Sequence, residues 1–534
     1  MRILLSLLVL SIASATLTGQ TLDDALRFSE NTAVGTARSL GTANSMSAIG
    51  ADWTALQSNP AGLAAFRNNE VTVTIGGILT GTSNATLSAF TDQEVGSVMS
   101  TNDGSGFRAA LPQIGLVFTR EPIASRWTQI NFGIGVSQTN RFEENIRFSG
   151  ATPGSVSDWF LETVNYDLRE DPPLLDPLPL NDLSDFNTGL AYDAQLLKRF
   201  PDGTYWTDYD EARLNNPGVE IPLQKTGSIS RKGYNSSFDL SLGGNFEEKL
   251  LVGATLSLVN TSFEETNIYL EQDLDNLVDT FISLRFLQTN SHEGTGVNGK
   301  FGVIYRASQA FRIGLSYHSP SFISVSDQIV NSITYSYALS PGLSVPGEAQ
   351  VTPTFEPFEY TFVTPSSYRA SAAYVIGRRG FISIDAGYKN YPGAKFKIEI
   401  DRDAEEDLNS RINILTQAAI DARIGGELNM SPFKIRAGFE YFGAPVRGED
   451  AAISFSGGVG FRQNRLSADL GYRISIRPDR VYRPYDVFFT DFPQPQVNYT
   501  PTISTMALTV GWKLMAKAYE EEQPSGKKRR GRRR

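Results

Sequence analysis

The segment TMALTVGWKL at residues 505–514 decides the fold. Every second residue in it is large and apolar, and the residues between are polar or small. The apolar set is Met506, Leu508, Val510, Trp512 and Leu514. Successive side chains of a β-strand point to opposite faces, so this spacing places the large apolar groups together on one face. We interpret the segment as a strand with one apolar face and one polar or small face.

The same alternation recurs upstream. In residues 237–246 the large apolar residues are Phe238, Leu240, Leu242 and Phe246, and residues 433–441 repeat the pattern from Phe433 to Tyr441. Strands with lipid on one face and a polar lumen on the other are typical of outer-membrane barrels. A large soluble β-sandwich would also show alternation, so this pattern alone leaves two fold classes open.

The lengths of the connections favour the barrel. We predict fourteen strands, at 70–80, 107–119, 127–139, 235–246, 249–263, 295–306, 310–322, 365–376, 380–390, 416–429, 432–442, 451–462, 465–476 and 502–514. Short links such as EEK at 247–249 and QNR at 463–465 fall at every second gap, and the gaps between them are mostly long. Short periplasmic turns that alternate with long extracellular loops are typical of a membrane barrel.

The N-terminus indicates export. MRILLSLLVLSIASA combines Arg2 with an apolar core from Ile3 to Ile12 and small residues up to Ala15, as in a secretory signal peptide. The core is shorter than the roughly 20 residues that a membrane-spanning helix needs. We therefore predict residues 1–19 as a signal peptide, with the cut open between Ala15 and Gly19.

Composition narrows the function classes. The chain has no Cys and two His, His292 and His318, which leaves little material for a metal site or a His-based catalytic site. A net charge of -10 argues against a nucleic-acid partner. The GxGxxG spacing of Gly294, Gly296 and Gly299 lies in or before a predicted strand, where it cannot form a phosphate loop. We expect no enzyme activity, no catalytic residues, no metal and no cofactor.

Residues 20–69 differ from the rest because they are rich in small residues and lack alternation. About 50 residues are too few to build a stable core alone, so we expect a hatch that packs inside the barrel. Asp52 is expected to cap a one-turn helix, and Asn59–Pro60 to start a turn. The hatch motif consists of Asp52, Asn59, Pro60, Ala61 and Gly62; taken alone, it is a compact structural loop.

The runs GTARSLGTA (35–43) and IGADWTALQSNPAGLAAF (49–66), followed at once by a strand, resemble the N-terminal hatch of the FadL / OmpP1 / TodX family of outer-membrane transporters. The close resemblance covers about 50 residues, and the count of fourteen strands given above rests partly on it. It implies an all-β fold: a 14-stranded antiparallel transmembrane β-barrel with a small N-terminal hatch inside and long, partly helical extracellular loops. It also implies passive uptake of long-chain fatty acids or hydrophobic aromatic compounds. The expected parts are the hatch (20–69), the barrel (70–515) and a basic tail (516–534).

The long connections depart from the family pattern. We predict an extracellular loop at 140–234, with helices near 156–166 and 186–200. A further helix is predicted over 269–286, with an apolar stripe formed by Leu270, Leu274, Leu277, Val278, Phe281 and Ile282. Two interpretations of that helix are open: it lines an apolar groove for incoming solute, or it caps the barrel. The tail, which ends KKRRGRRR, is either a solvated extension or a contact with anionic envelope polymers.

Charged residues of both signs are expected to face the lumen. The candidates are Arg312, Arg369, Asp421, Arg423, Lys434, Arg436, Glu440, Asp469 and Arg473. Such groups can pair with one another and with the hatch backbone, or a cation among them can hold a fatty-acid carboxylate through a charge-assisted hydrogen bond. Both roles are open.

The expected partners are outer-membrane lipid, lipopolysaccharide and a hydrophobic small molecule. The solute would reach a pocket above the hatch and leave when the hatch or a strand kink opens, with Gly133 and Gly135 allowing a bulge in the third strand. Two alternative functions are open: a scaffold or accessory of an outer-membrane protein-secretion complex, and a nonspecific porin.

Overall fold

A computed structural model describes residues 22–30, 35–90, 95–98, 104–170, 186–201, 203–340, 343–350, 357–485 and 494–514. The predicted signal peptide and the whole basic tail lie outside these residues. Fourteen antiparallel strands form the wall, as predicted. They are β1 (Glu70–Phe90), β2 (Gly104–Arg120), β3 (Trp127–Arg141), β4 (Pro222–Phe246), β5 (Leu250–Gln272), β6 (Phe281–Arg306), β7 (Phe311–His318), β8 (Ser367–Val375), β9 (Gly380–Asn390), β10 (Ala418–Met430), β11 (Phe433–Phe442), β12 (Ala452–Gln463), β13 (Leu466–Ile476) and β14 (Gln494–Lys513). β1 pairs with β14 from Glu70↔Lys513 onward, which closes the barrel.

The alternation predicted from sequence is visible in β9. Along β9, Ile382 and Ile384 are about half exposed on the outer face, whereas Ser383 and Asp385 between them are buried inside. Apolar side chains can cover the outside of a barrel in this way only where lipid replaces water. The chain is a transmembrane β-barrel of the outer-membrane type.

The helices belong to the hatch and to the loops that connect the wall strands. They are α1 (Leu22–Ser29), α2 (Ala37–Leu40), α3 (Ala55–Ser58), α4 (Val156–Glu170), α5 (Phe186–Asp193), α6 (Asp208–Asn215) and α7 (Arg402–Leu415), with 3-10 turns at Pro60–Ala65 and Tyr391–Gly393. Among the described residues, none of these helices has the length and apolar character needed to cross a membrane. The helix predicted from 156 is confirmed as α4. The one predicted over 186–200 ends at Asp193 as α5.

The wall is much taller than a bilayer on one side. β4, β5 and β6 contain 25, 23 and 26 residues, whereas a barrel strand needs about 9–11 residues to span the hydrocarbon. The expected loop at 140–234 is therefore partly wrong. A strand at Glu144–Pro153 pairs with the first part of β4, from Glu144↔Arg231 to Pro153↔Pro222. These residues extend the wall beyond the membrane because each strand satisfies the backbone hydrogen bonds of its neighbour.

The helix predicted over 269–286 is wrong. β5 continues to Gln272 and β6 begins at Phe281, and the two are paired up to Gln272↔Ser283. Asn276 in the turn has φ 54°, and the Asp273 carboxylate accepts a hydrogen bond from the Val278 amide at 2.7 Å. Turn residues at 273–276 thus fold the segment back as a hairpin. The apolar residues that match a helical spacing belong to two strands and to the turn between them.

Further strands extend the loop end of the wall. They are Phe322–Ser340, Leu343–Gln350, Phe358–Val363, Lys395–Lys397 and Arg480–Tyr482, with Val95–Val98 beside β1 and a short ribbon formed by Lys198–Arg199 and Tyr205–Trp206. Phe322–Ser340 continues the line of β7 along β6, starting at Val297↔Phe322.

An apolar core closes the loop end of the barrel. The described residues among 144–221, together with the loop ends of β4, β5 and β6, form a layer that we call the cap. Its core includes Phe148, Phe160 and Phe286, and the rings of Phe160 and Phe286 meet edge to face at 5.6 Å. The core reaches Leu87 on β1 and Val497 on β14. The cap therefore bridges the mouth of the barrel.

Candidate functional site: a cavity between the hatch and the cap

Residues 35–69 of the hatch lie inside the short-turn half of the barrel. Leu40, Trp53, Leu56 and Leu63 are fully buried there. The wall accepts the hatch because the strands carry glycine where the hatch backbone comes close. A Cβ atom on Gly438, for example, would stand 2.6 Å from the amide nitrogen of Ala43. Small residues on the inner face thus make room for the hatch.

The residues of the hatch motif bind backbone groups of the hatch and of the wall through hydrogen bonds, and they form a turn. Asn59 accepts a hydrogen bond from the Ala61 amide at 3.1 Å and donates one to the Val303 carbonyl of β6 at 3.3 Å. Pro60 begins the 3-10 turn, and the Gly62 carbonyl accepts from the Ala51 amide at 3.0 Å. Ala61 is fully buried. These residues hold the hatch together and tie it to β6.

Asp52 accepts hydrogen bonds from the Thr54 amide at 2.9 Å and from the Thr36 hydroxyl at 2.8 Å. The following helix starts at Ala55, two residues later than the sequence suggested. Burial raises the pKa of the Asp52 carboxyl, and Arg38 partly offsets that increase. Asp52 therefore links the start of α2 to the start of α3.

One cluster of predicted lumen charges lies beside α2. Glu427 on β10 accepts Lys434 at 2.7 Å and Arg436 at 2.8 Å, and Arg38 of the hatch reaches the same carboxylate at 2.9 Å. Arg436 also pairs with Asp469 at 2.7 Å. Three cations converge on one buried carboxylate. Strand period places Glu427 on the inner face, but its link to the hatch was not predicted, because Arg38 lies 389 residues away in the sequence.

A second cluster lies nearer the loop end. Arg423 is 3.3 Å from Asp421 and 2.5 Å from Glu440, Arg369 pairs with Asp421 at 3.0 Å, and Arg473 stands 3.6 Å from Glu440. Arg312 lies apart from both clusters and donates to the Ile49 carbonyl at 3.1 Å. The structure places all nine candidates on the inner side and brings eight of them into two networks.

Above these networks is a cavity of about 900 Å³, which we call the central cavity. Gln57 and Ser58 of the hatch form part of its floor, and Arg369, Arg423 and Arg473 lie on its wall. Aromatic side chains, including Phe263, Tyr391 and Tyr499, line it as well. Its lining combines apolar rings with paired charges, which suits a molecule that has both an apolar body and a polar group.

α1 forms another side of the central cavity. Its assignment to the hatch (20–69) did not predict this position. Its Ala25 and Phe28 pack against strands and α7 at the loop end of the wall. Asp24 lies 3.6 Å from His292, whose other ring nitrogen is 2.5 Å from Asp327. α1 was not predicted, although Leu22, Ala25 and Phe28 recur every three residues, a spacing that places them along one face of a helix.

The wall beside the central cavity is incomplete. β2 pairs with β1 up to Gly104↔Thr82, but its ladder with β3 ends at Gln113↔Ser137. Beyond that point, within the described residues, an ion pair of 2.7 Å between Arg108 and Glu143 spans the two strands. Ile78, Thr80 and residues 141–144 line the cavity at this place. We call this break in the hydrogen-bond ladder the wall gap.

The wall gap does not arise from the glycines proposed to kink β3. Gly133 and Gly135 keep regular partners, Val117 and Gly115, on β2. The register shifts of β3 against β4 lie between Trp127 and Gln129 and between Gln138 and Asn140 instead. Gly135 is needed because Trp53 packs on it: an added Cβ would be 2.5 Å from the indole ring.

The six residues of the predicted loop helix do not line the central cavity. Val278 and Phe281 belong to the core of the cap, whereas Leu274 and Leu277 are exposed on the β5–β6 turn. Within the described part of the chain, no group of three or more His, Asp or Glu side chains could hold a metal ion.

No protein-family model matches the chain, and no curated protein sequence matches it. Several solved structures are similar to it. A FadL homologue from Pseudomonas aeruginosa is 12% identical, covers 91% of this chain and 100% of its own, and has a TM-score of 0.49. The toluene transporter TodX of P. putida is 11% identical, with 91% and 100% coverage and a TM-score of 0.41. The toluene transporter TbuX of Ralstonia pickettii is 13% identical, with 86% and 93% coverage and a TM-score of 0.38. The names FadL and TodX are also those of the family that the hatch sequence resembles.

Proposed function

We propose that the chain is an outer-membrane transporter for passive, diffusion-driven uptake of hydrophobic compounds, either long-chain fatty acids or aromatic hydrocarbons. In this proposal residues 1–19 direct export, 20–69 act as the hatch, and 70–515 form the barrel. One observation carries the proposal: the central cavity lies between the hatch and the cap and borders the wall gap.

The route follows from what closes the barrel. The apolar core of the cap obstructs the loop end, and the hatch fills the short-turn half. A straight aqueous path, as a nonspecific porin requires, has no support in this arrangement. The wall gap leaves one side on which a solute can pass between the cavity and the bilayer without crossing either plug. Diffusion down a concentration gradient needs no energy source.

The lining of the central cavity supports an amphipathic solute. Arg27 stacks on the ring of Phe263 at 3.5 Å, so a cationic group and an aromatic surface lie together. A carboxylate could exchange into one of the arginine pairs, while its chain or ring contacts the aromatic side chains. Arg369, Arg423 and Arg473 are the nearest candidates from the predicted set.

The residues of the outer surface and of the tail indicate which envelope components the chain contacts. Exposed apolar residues such as Ile384 and Phe433 support contact with outer-membrane lipid and, at the loop end, with lipopolysaccharide. The tail at 516–534 ends KKRRGRRR, and that charge supports contact with anionic envelope polymers.

Closing the wall gap with a cross-link tests the route. Arg108 and Glu143 are ion-paired across the gap, and the chain has no native Cys to interfere. We would join the double variant Arg108→Cys/Glu143→Cys with a cleavable thiol cross-linker. Uptake of radiolabelled oleate and of radiolabelled toluene is expected to fall to the level of cells without the gene, and to recover when the linker is cleaved. Whichever compound depends on the gap identifies the substrate class.

The matched control cross-links a place where β2 and β3 are already paired. Phe118 and Phe132 are register partners on the lipid side, with stacked rings 6.4 Å apart. The cross-linked variant Phe118→Cys/Phe132→Cys should transport normally. Undiminished uptake of both compounds with the gap closed would rule out this route. Large, unselective conductance of the wild-type protein in planar bilayers would instead indicate a porin.

A further inference from the structure

Four exposed arginines lie on one side of the short-turn rim of the barrel. Arg378 and Arg379 form the β8–β9 turn, and Arg462 and Arg465 flank the β12–β13 turn. We call these four residues the basic rim. The turn between them, Ser431–Pro432, is uncharged, and none of the three turns contains Asp or Glu. Strands about 4.8 Å apart place the two pairs of arginines roughly 20 Å from each other.

On the other side of the same rim, arginines are paired with glutamates. Arg126 pairs with Glu247 at 2.7 Å, and Glu248 takes Arg67 and Arg306, the latter at 2.8 Å. The hydrogen bond from Arg67 lowers the pKa of Glu248 to about 2, so this carboxylate is charged at any ordinary pH. On the side of β8–β13, by contrast, the ion pairs Lys434–Glu427 and Arg436–Asp469 lie inside the wall. The positive charge of the basic rim therefore stays exposed.

Large apolar side chains face outward directly above the basic rim. Tyr374, Phe433 and Trp512 are 55%, 59% and 50% exposed, and each lies within a few residues of a strand end. Aromatic residues gather where acyl chains meet headgroups. The guanidinium groups of the basic rim thus lie at the depth of the phosphate groups of the adjoining leaflet.

We infer that the basic rim is a binding site for the phosphate groups of anionic phospholipids in the leaflet at the short-turn end, which is the periplasmic one in this class of barrel. Guanidinium presents a planar set of donors that matches phosphate oxygens two at a time. The turns connect paired strands of the wall, so they hold the four guanidinium groups at one depth. Groups at one depth suit a row of lipid headgroups better than a flexible polymer. Arginines near an anionic leaflet attract it additively.

The test compares lipid retention by full-length protein in nanodiscs that contain phosphatidylglycerol and phosphatidylcholine, measured by native mass spectrometry. The wild-type protein should keep phosphatidylglycerol preferentially, and less of it as salt rises. The variant Arg378→Gln/Arg379→Gln/Arg462→Gln/Arg465→Gln should lose at least about tenfold of that preference. A milder variant, Arg378→Gln/Arg379→Gln alone, should lose part of it and covers the case in which the fourfold change fails to fold.

Two controls separate the basic rim from charge in general. Lys395, Lys397, Arg402 and Arg411 are exposed at the loop end, so changing these four to Gln removes the same charge there and should leave retention unchanged. Changing the seven basic residues of KKRRGRRR to Gln, with the basic rim intact, should also leave it largely unchanged. Equal loss in the loop-end control, loss confined to the tail variant, or normal retention by both rim variants would each overturn the inference.

Discussion

Trp53 of the hatch donates its indole N–H to the hydroxyl of Ser137 on β3 at 3.0 Å, and Ser137 stands opposite Gln113 on the last rung between β2 and β3. The hatch is thus bonded to the wall at the base of the wall gap. A shift of the hatch at Trp53 would act on the place where the two strands separate. This contact couples the plug to the side opening.

Replacing Trp53 by Phe keeps most of the buried ring and removes the donor. We expect a loss of about 1 kcal/mol in the free energy of unfolding, the usual net value of one hydrogen bond. Ser137→Ala should cost a similar amount, and the double variant little more than either single one. Thermal unfolding in detergent measures all three. Fully additive losses would mean that the two side chains do not act through their mutual bond.

Gly135→Ala should disrupt the same region by steric overlap. The added methyl group would run into the Ile114 carbonyl oxygen and lie 2.5 Å from the Trp53 ring. Overpacking of this kind costs about 1–3 kcal/mol. Gly133→Ala is the milder control, because its methyl group would lie 3.2 Å from the end of the Leu63 side chain and 3.4 Å from the Trp53 ring, without a backbone clash. Cells should show a lower yield of folded barrel for the first variant than for the second, as judged by heat-modifiable mobility on gels.

Of the charged residues in the wall, Glu427 should cause the largest loss of stability when it is neutralised. Glu427→Gln leaves Arg38, Lys434 and Arg436 around a neutral amide. Removing one partner of a buried ion pair typically costs about 3–5 kcal/mol, because the remaining charge is buried without compensation. Asp421→Asn, at a carboxylate that is about a fifth exposed, should cost less. Chemical denaturation of the refolded barrel gives both values, and the reverse order would contradict the assignment of Glu427 as the link between α2 and the wall.

The sequence predicted the membrane-spanning part of the wall well and the part above it poorly. In the membrane, lipid and lumen impose opposite demands on alternate residues, so strands such as β9 could be read from their period. Above the membrane, the same strands have protein on one face and solvent or protein on the other. Segments 222–234 and 269–272 therefore carry no clean alternation, and they were interpreted as loop and helix.

The candidate site was predictable only in part. Inward charges such as Arg423 follow from strand period, since each occupies the face opposite the lipid-facing residues. Their partners do not, because Arg38 and Glu427 come together only when the barrel closes around the hatch. The wall gap was sought at Gly133 and Gly135, but it depends on where hydrogen bonding between β2 and β3 stops. That register is not visible in either strand alone.

Asp158 gives the cap a pH dependence. Its carboxylate, in the first turn of α4, accepts the Ser155 amide at 3.1 Å and lies 3.5 Å from Arg213, but burial raises its pKa to about 6. The folded cap therefore binds a proton more tightly than the unfolded chain does, and its stability decreases as pH rises from about 4 to about 6. The protection factors of the α4 amides, which correct exchange rates for their intrinsic pH dependence, should be larger at pH 4.5 than at pH 7.5. Asp158→Asn should show a smaller difference, and an equal one would assign the effect to other groups.

Lys225 supports the cap from beneath α4. Its buried ammonium group donates to the carbonyl oxygens of Thr152 at 2.5 Å and Gly154 at 2.7 Å, while Glu271 accepts the Val156 amide at 3.0 Å. Lys225→Met would leave these carbonyls without their donor and Glu271 without a nearby cation, at a cost of about 3–5 kcal/mol. Limited proteolysis should then cut the cap while the membrane part of the barrel stays resistant. Adding Glu271→Gln should restore some protection because it removes the uncompensated charge; if the double variant is cut faster than Lys225→Met alone, the two groups do not stabilise the cap as a pair.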